Sequence, residues 1–121
     1  MSCLFDSLSK SVNMNSNDLR KVICQYLATN PNILDDISTE QVLNITENSS
    51  LSQYIERMSN TMTWGGAIEI KAFCNLFRKR VLILVLYTRK MFEMLPNGPP
   101  ENTIVVAYTG NHFELVAITS S

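Results

Sequence analysis

Leu19, Val22, Ile23, Tyr26 and Leu27 fall at i, i+3, i+4, i+7 and i+8, the spacing of one face of an α-helix. Asn17 is placed to cap that helix and Asp18 suits its first turn. Asn30-Pro31 must end it, because the residue before a proline is pushed out of the helical region. Ahead of it, Leu4, Phe5, Leu8 and Val12 repeat at roughly helical spacing and predict a short helix beginning at or near Cys3. An Asn- and Ser-rich loop, 13–17, separates the two. A weaker pattern over Asp35–Leu43 predicts another short helix, broken at Asn48-Ser49-Ser50. Leu51, Tyr54, Ile55 and Met58 then predict a helix capped by Ser50 and ending near Asn60. Trp64-Gly65-Gly66 reads as a turn into a further helix with Ala67, Ile70, Phe73, Cys74 and Phe77 on one face. Glu69 near its start and Arg78-Lys79-Arg80 at its end suit the helix dipole.

After this point the period changes. Val81–Tyr87 is a β-branched, apolar run of strand length, expected to be buried on both faces. Arg89–Leu95 can pair with it as a hairpin, and Pro96-Asn97-Gly98-Pro99-Pro100 is a rigid loop. Thr103–Tyr108 and Phe113–Thr119 are two more strands, joined by a turn at Thr109-Gly110-Asn111-His112. Helices first and an antiparallel-rich sheet last predict an α+β fold. Residues 1–121 read as one domain, without repeats or an internal boundary.

Composition narrows the function classes. The chain is 121 residues, 45% hydrophobic and 17% charged, which excludes disordered and low-complexity readings. Ten basic and eleven acidic residues leave a net charge of −1, a poor basis for wrapping nucleic acid. The longest apolar run, Val81–Leu86, is far too short to span a membrane, and no basic, apolar leader opens the chain. Three cysteines make no disulfide framework and point to a reducing compartment, cytoplasm or its equivalent. No His cluster, CxxC pair or Gly-rich phosphate loop is present, so neither metal nor cofactor is expected.

The single histidine, His112, limits the chemistry further. Any Cys–His chemistry must use it as the base; otherwise it is an ordinary turn histidine. Cys74 on an apolar helix face and Cys24 beside another read as inert core thiols. Cys3 stands at a predicted helix start, where free backbone N–H groups favour a thiolate. The residues alone leave it either a nucleophile or an ordinary terminal residue.

Taken in order, several segments resemble one family. Cys3-Leu4-Phe5-Asp6-Ser7-Leu8-Ser9 resembles the nucleophile segment of the ovarian-tumour (OTU) cysteine proteases. Asp18-Leu19-Arg20 with Ile23 and Tyr26-Leu27 is similar to the family's second helix. Tyr54-Ile55 with Met58, then Trp64-Gly65-Gly66-Ala67-Ile68-Glu69-Ile70-Lys71-Ala72, resembles its Trp-Gly-Gly block, and Val81–Val85 the strand after it. Asn111-His112-Phe113-Glu114 resembles the closing His-aromatic-acid motif. Asn97-Gly98-Pro99-Pro100 is similar to the Gly-Pro-Pro loop of compact viral members.

The resemblance implies a deubiquitinase that cleaves after the C-terminal Gly-Gly of ubiquitin or a ubiquitin-like modifier. It makes Cys3 the nucleophile, His112 the general base and Glu114 the orienting acid. Trp64, Gly65, Gly98 and Asn111 are the residues expected to border the substrate. Ubiquitin or a relative is the implied partner, with no nucleic acid and no membrane. The implied state is a monomer, in the host cytoplasm if the protein is viral. The sequence departs from the family in two places: Met1-Ser2 stands where the family has Asp-Gly-Asn before the Cys, and Glu stands where Asp or Asn is usual. Two other readings follow: a catalytically weak scaffold that binds ubiquitin or another partner, and a viral polyprotein peptidase.

Overall fold

The computed structural model describes residues 3–120, without the side chains of Cys3 and Ser120. Helix α1, Cys3–Ser9, leads into α2, Ser16–Ala28. The cap of α2 is Asn15, whose side chain accepts from the Asp18 N–H at 2.8 Å; Asn17, the expected cap, lies inside the first turn. The stripe read from the sequence buries Leu19, Ile23 and Leu27, as expected. A two-stranded hairpin follows, β1 (Asn32–Leu34) and β2 (Ile37–Ser38), turning at Asp35-Asp36. It occupies the first part of the segment expected to be helical. Helix α3 therefore starts later, at Thr39, and runs to Thr46, with Ser38 and Gln41 exchanging side-chain and backbone bonds around its first turn. Helix α4, Leu51–Met58, has the same arrangement at Ser50 and Gln53.

Helix α5, Ala67–Phe77, is ended by Arg78 in the left-handed conformation. Lys79 and Arg80 are already extended, so they belong to the next strand rather than to the helix end as expected. Ala67 is exposed, while Ile70, Phe73 and Cys74 are in the core as the periodicity required. The strands are β3 (Lys79–Val85), β4 (Lys90–Met94), β5 (Asn102–Tyr108) and β6 (Phe113–Ser120). Their order across the sheet is β4-β3-β5-β6. Two pairs are antiparallel, and the central pair, β3 with β5, is parallel from Lys79↔Asn102 to Val85↔Tyr108. The sheet is thus mixed. Its parallel pair arises because β4 folds back along one side of β3 and the loop 95–101 returns the chain to the other side.

The helices pack on one face of the sheet. Val81, Ile104 and Val106 join Leu4, Phe5, Leu8, Leu19, Ile23, Leu27 and Phe73 in a continuous core. Only Val81 of β3 is fully buried, and Leu86 and Tyr87 are exposed, so the strand is not covered on both faces as expected. A bulge interrupts β6: Val105 faces Ala117 but Val106 faces Leu115, leaving Val116 unpaired and exposed. A bulge of this kind bends the strand and re-aims the residues that precede it. Here those residues are Phe113 to Leu115 and the turn before them. Among the described residues no helix is long and apolar enough to cross a membrane.

Candidate active site

The turn between β5 and β6 is braced on several sides. Gly110 takes φ +111°, a conformation that L side chains rarely adopt. The Tyr108 hydroxyl donates to the Gly110 carbonyl at 2.6 Å, and the Thr109 N–H donates to the His112 carbonyl at 3.0 Å. The rings of Tyr108 and Phe113 are 4.6 Å apart and those of Tyr87 and Tyr108 6.4 Å apart. This frame leaves the side chains of Asn111, His112 and Glu114 exposed. Asn111 accepts from the Thr109 hydroxyl at 3.2 Å, so its side chain shapes the turn. Glu114 stands opposite Ala107, two residues beyond His112. Among the described residues neither a hydrogen bond nor an ion pair joins His112 to Glu114.

Helix α1 is brought to the same end of the molecule. Ser7, one turn after Cys3, donates from its hydroxyl to the Phe113 carbonyl at 2.8 Å. That bond ties the helix beginning at Cys3 to the residue following His112. The Cys3 side chain, and with it the expected approach of thiol to imidazole, lies outside the described atoms. So do Met1 and Ser2, where the sequence departs from the family pattern.

The Trp64-Gly65-Gly66 segment has two roles. A Cβ on Gly65 would sit 2.8 Å from Leu4 Cδ2 and 2.9 Å from Phe5 Cε2. Without a side chain at Gly65 this segment lies directly on α1; a Cβ would make Leu4 and Phe5 shift. Trp64 is 47% exposed and forms a wall of a groove of about 450 Å³, together with Leu34, Val42, Arg57 and Ile68. Gly65 therefore supports the helix, while Trp64 borders open space. The groove is mainly apolar, yet the segment 31–56 that forms much of one side carries five carboxylates and no basic residue. Glu47 and Arg57 face each other at its rim, 3.5 Å apart.

Beneath the segment lies a buried polar network that the sequence did not announce. Glu69, 1% exposed, accepts from the Tyr54 hydroxyl at 2.5 Å and from the Gly66 N–H at 2.7 Å. Burial pushes its carboxyl above the ordinary value, against the opposing pull of those two donors. Glu69 is thus an internal clamp on the turn, where the sequence suggested only a charge near a helix start. Arg20 is 2% exposed and donates to the carbonyls of Met58, Asn60, Thr61 and Thr63 at 2.7–3.3 Å. Its guanidinium carbon also lies 4.2 Å from the centre of the Phe5 ring. The sequence signal for it was its place in Asp18-Leu19-Arg20, one of the segments that carry the family resemblance.

Of the residues expected to border the substrate, Gly98 falls elsewhere. Gly98 lines a separate cavity with Tyr26, Asn75 and Asn97. It belongs to the loop entering β5 at Asn102, whereas His112 follows the other end of that strand, about 20 Å away for seven extended residues. Cys24 and Cys74 are free, buried thiols. Burial raises both, Cys74 to about 12, which leaves neither available as a thiolate near neutrality.

A thiol-bearing helix start, tied to a strand that follows the only histidine, is an arrangement expected of a cysteine hydrolase. The model of the OTU-like cysteine protease family matches residues 2–116. The chain belongs to that family. A protein of Invertebrate iridescent virus 3 named as a ubiquitin thioesterase is 32% identical over an alignment of 119 positions that covers 91% of this chain and 14% of that protein. A protein of Schizosaccharomyces pombe named in the same way is 24% identical, over 98% of this chain and 34% of its own length. Human OTU domain-containing protein 4 is also 24% identical, over 95% of this chain and 10% of its length. The chain thus spans about a third or less of each of these relatives. Among solved structures, an OTU domain in complex with ubiquitin superposes with a TM-score of 0.78 at 18% identity, covering 97% of this chain and 64% of that one. The OTU domain protease of Dera Ghazi Khan virus gives 0.70 at 16% identity, covering 98% and 76%. Both are α+β OTU folds, and the architecture above is theirs.

Proposed function

We propose that this OTU-family cysteine protease is a deubiquitinase, hydrolysing the peptide or isopeptide bond after the C-terminal Gly-Gly of ubiquitin or a ubiquitin-like modifier. Cys3 is the nucleophile, His112 the general base and Glu114 the residue that orients the imidazole. The observation that supports this most is the Ser7–Phe113 bond, which joins the helix starting at Cys3 to the residue after His112. The names of the viral and yeast relatives support the substrate class.

In the first half of the reaction, the Cys3 thiolate adds to the carbonyl carbon of the last glycine. The C–N bond breaks, and the departing amine takes a proton from the His112 imidazolium, leaving a thioester. In the second half, His112 takes a proton from water as the oxygen adds to the same carbon. The C–S bond breaks and the thiolate returns. Glu114, two residues from His112, holds the imidazole in the tautomer both halves need and favours the imidazolium. In this reading the end of the modifier lies beside Cys3, and the Trp64 groove takes the side chains that precede its two glycines. Residues 1–121 act as one domain and a monomer, in a reducing cytoplasm where Cys24 and Cys74 stay free.

The test is turnover of ubiquitin bearing a fluorogenic amide at its C-terminus. Cys3→Ala should abolish it while leaving ubiquitin binding intact, and His112→Ala should lower kcat by about ten-thousandfold or more, the loss typical of a missing triad base. Glu114→Gln should lower kcat by less. Turnover that survives Cys3→Ala would exclude the mechanism. Binding without turnover in the wild type would leave a non-catalytic ubiquitin-binding scaffold.

A further inference from the structure

We infer that Arg20 is a positioning residue for the nucleophile helix, acting through Phe5 and the loop 58–65. The inference rests on the assignment of Cys3 proposed above. Helix α1 has only seven residues, too few to hold itself in place, so its position is set by what packs on it. Phe5, two residues after Cys3, has no exposed surface. One side of its ring meets the backbone of Gly65, where even a Cβ would come within 2.9 Å, and the Arg20 guanidinium also lies against the ring, 4.2 Å from its centre. The same guanidinium holds the carbonyls of Met58, Asn60, Thr61 and Thr63, the residues that lead directly into Trp64-Gly65. One buried cation therefore bonds the loop and stacks on the ring against which that loop is pressed.

The chemistry of this arrangement is particular to arginine. A guanidinium is a flat plate with donors spread around its edge, so it can bond four carbonyls in its own plane while its face covers an aromatic ring. Among the described residues no carboxylate forms an ion pair with it; carbonyls and the ring face contact it directly, and buried Glu69 favours its charge from beyond ion-pair distance. Lysine keeps the charge but has neither the flat face nor the spread of donors. A movement of the loop would carry Gly65 away from Phe5 and release the start of α1, where Cys3 stands.

Three variants separate positioning from bulk stability. Arg20→Lys retains the charge and loses the plate. Phe5→Leu retains the Arg20–carbonyl bonds and loses the ring. Leu43→Ala, in the fully buried part of α3, is a control that weakens the core away from α1. Each is assayed on the fluorogenic ubiquitin amide at a temperature where circular dichroism shows it folded. Both Arg20→Lys and Phe5→Leu should lower kcat by about tenfold or more with KM within about twofold, because the error is in the placement of the reacting group. Leu43→Ala should keep kcat within about twofold even where its Tm falls as far or further. Equal kcat in Phe5→Leu and Leu43→Ala would overturn the inference. If the wild type does not turn over ubiquitin, the functional proposal falls by itself, and amide exchange decides the positioning claim. Residues 7–12 should then lose protection in Arg20→Lys and Phe5→Leu but keep it in Leu43→Ala, and equal protection in all three would refute the claim.

Discussion

At the scale of single residues, Cys24 and Cys74 are the buried thiols that their helix faces suggested. The core encloses both, and burial holds their protons on. Native protein treated with iodoacetamide at pH 7.5 should therefore leave both unmodified until denaturant is added, as peptide masses would show. Rapid labelling of either in the folded state would contradict the described core. Glu69 carries a second residue-scale consequence. Because burial raises its carboxyl in the folded protein, the native state binds its proton more tightly than the unfolded chain does. Its contribution is full below the ordinary carboxylate value of 4.5 and is lost as pH rises through the raised folded value. Glu69→Gln removes that titration, so the urea midpoint of the wild type should fall toward, or below, that of the variant between pH 4.5 and pH 8. Parallel curves would contradict the assignment. The core positions of α2 and the thiols of Cys24 and Cys74 were legible from periodicity alone. Arg20 and Glu69 were not, because a charged residue beside an apolar stripe reads as solvated. Their burial depends on carbonyls and a hydroxyl that lie 15 to 43 residues away.

At the scale of elements, the five helices and the four strands of the main sheet were each anticipated in place, and only the small β1–β2 hairpin was not. Ser50 capped α4 as expected, whereas the cap of α2 is Asn15, two residues before the expected one, because a run of Asn and Ser offers several equivalent side chains. The β1–β2 hairpin escaped because strands of three and two residues are too short to show a period of two. The parallel pairing of β3 with β5 escaped for a different reason: hydrophobic alternation reports that a strand exists but not the direction of its neighbour. The element contact that matters most for the site is Gly65 on α1. Gly65→Ala should force the Leu4 and Phe5 side chains to shift, at a cost of about 1–3 kcal/mol, the usual range for overpacking a tight core. A denaturant titration should register that loss. Gly98→Ala, where nothing lies within 4 Å of the added carbon, should leave stability nearly unchanged. Equal effects at the two glycines would mean that the segment does not rest on α1 as described.

At the scale of the whole molecule, one end of the sheet gathers what the proposed chemistry needs. The bulge at Val116 and the braced turn set the direction of His112, the Ser7 hydroxyl holds α1 beside it, and the Trp64 segment packs on that helix. The opposite end of β5 carries the Gly98 loop, which is why its resemblance to a family loop did not place it near the site. Family and fold class could be read from the order of motifs along the chain; the mutual approach of their side chains could not, since it depends on topology. The central claim is that Cys3, activated at this end, attacks the carbonyl following the Gly-Gly of a ubiquitin-type modifier. It is tested most directly by incubating the protein with ubiquitin carrying a C-terminal electrophile and measuring the intact mass. The account predicts a single covalent adduct located at Cys3, absent in Cys3→Ala and strongly slowed in His112→Ala. An adduct that persists in Cys3→Ala, or a wild type that forms none, would contradict it.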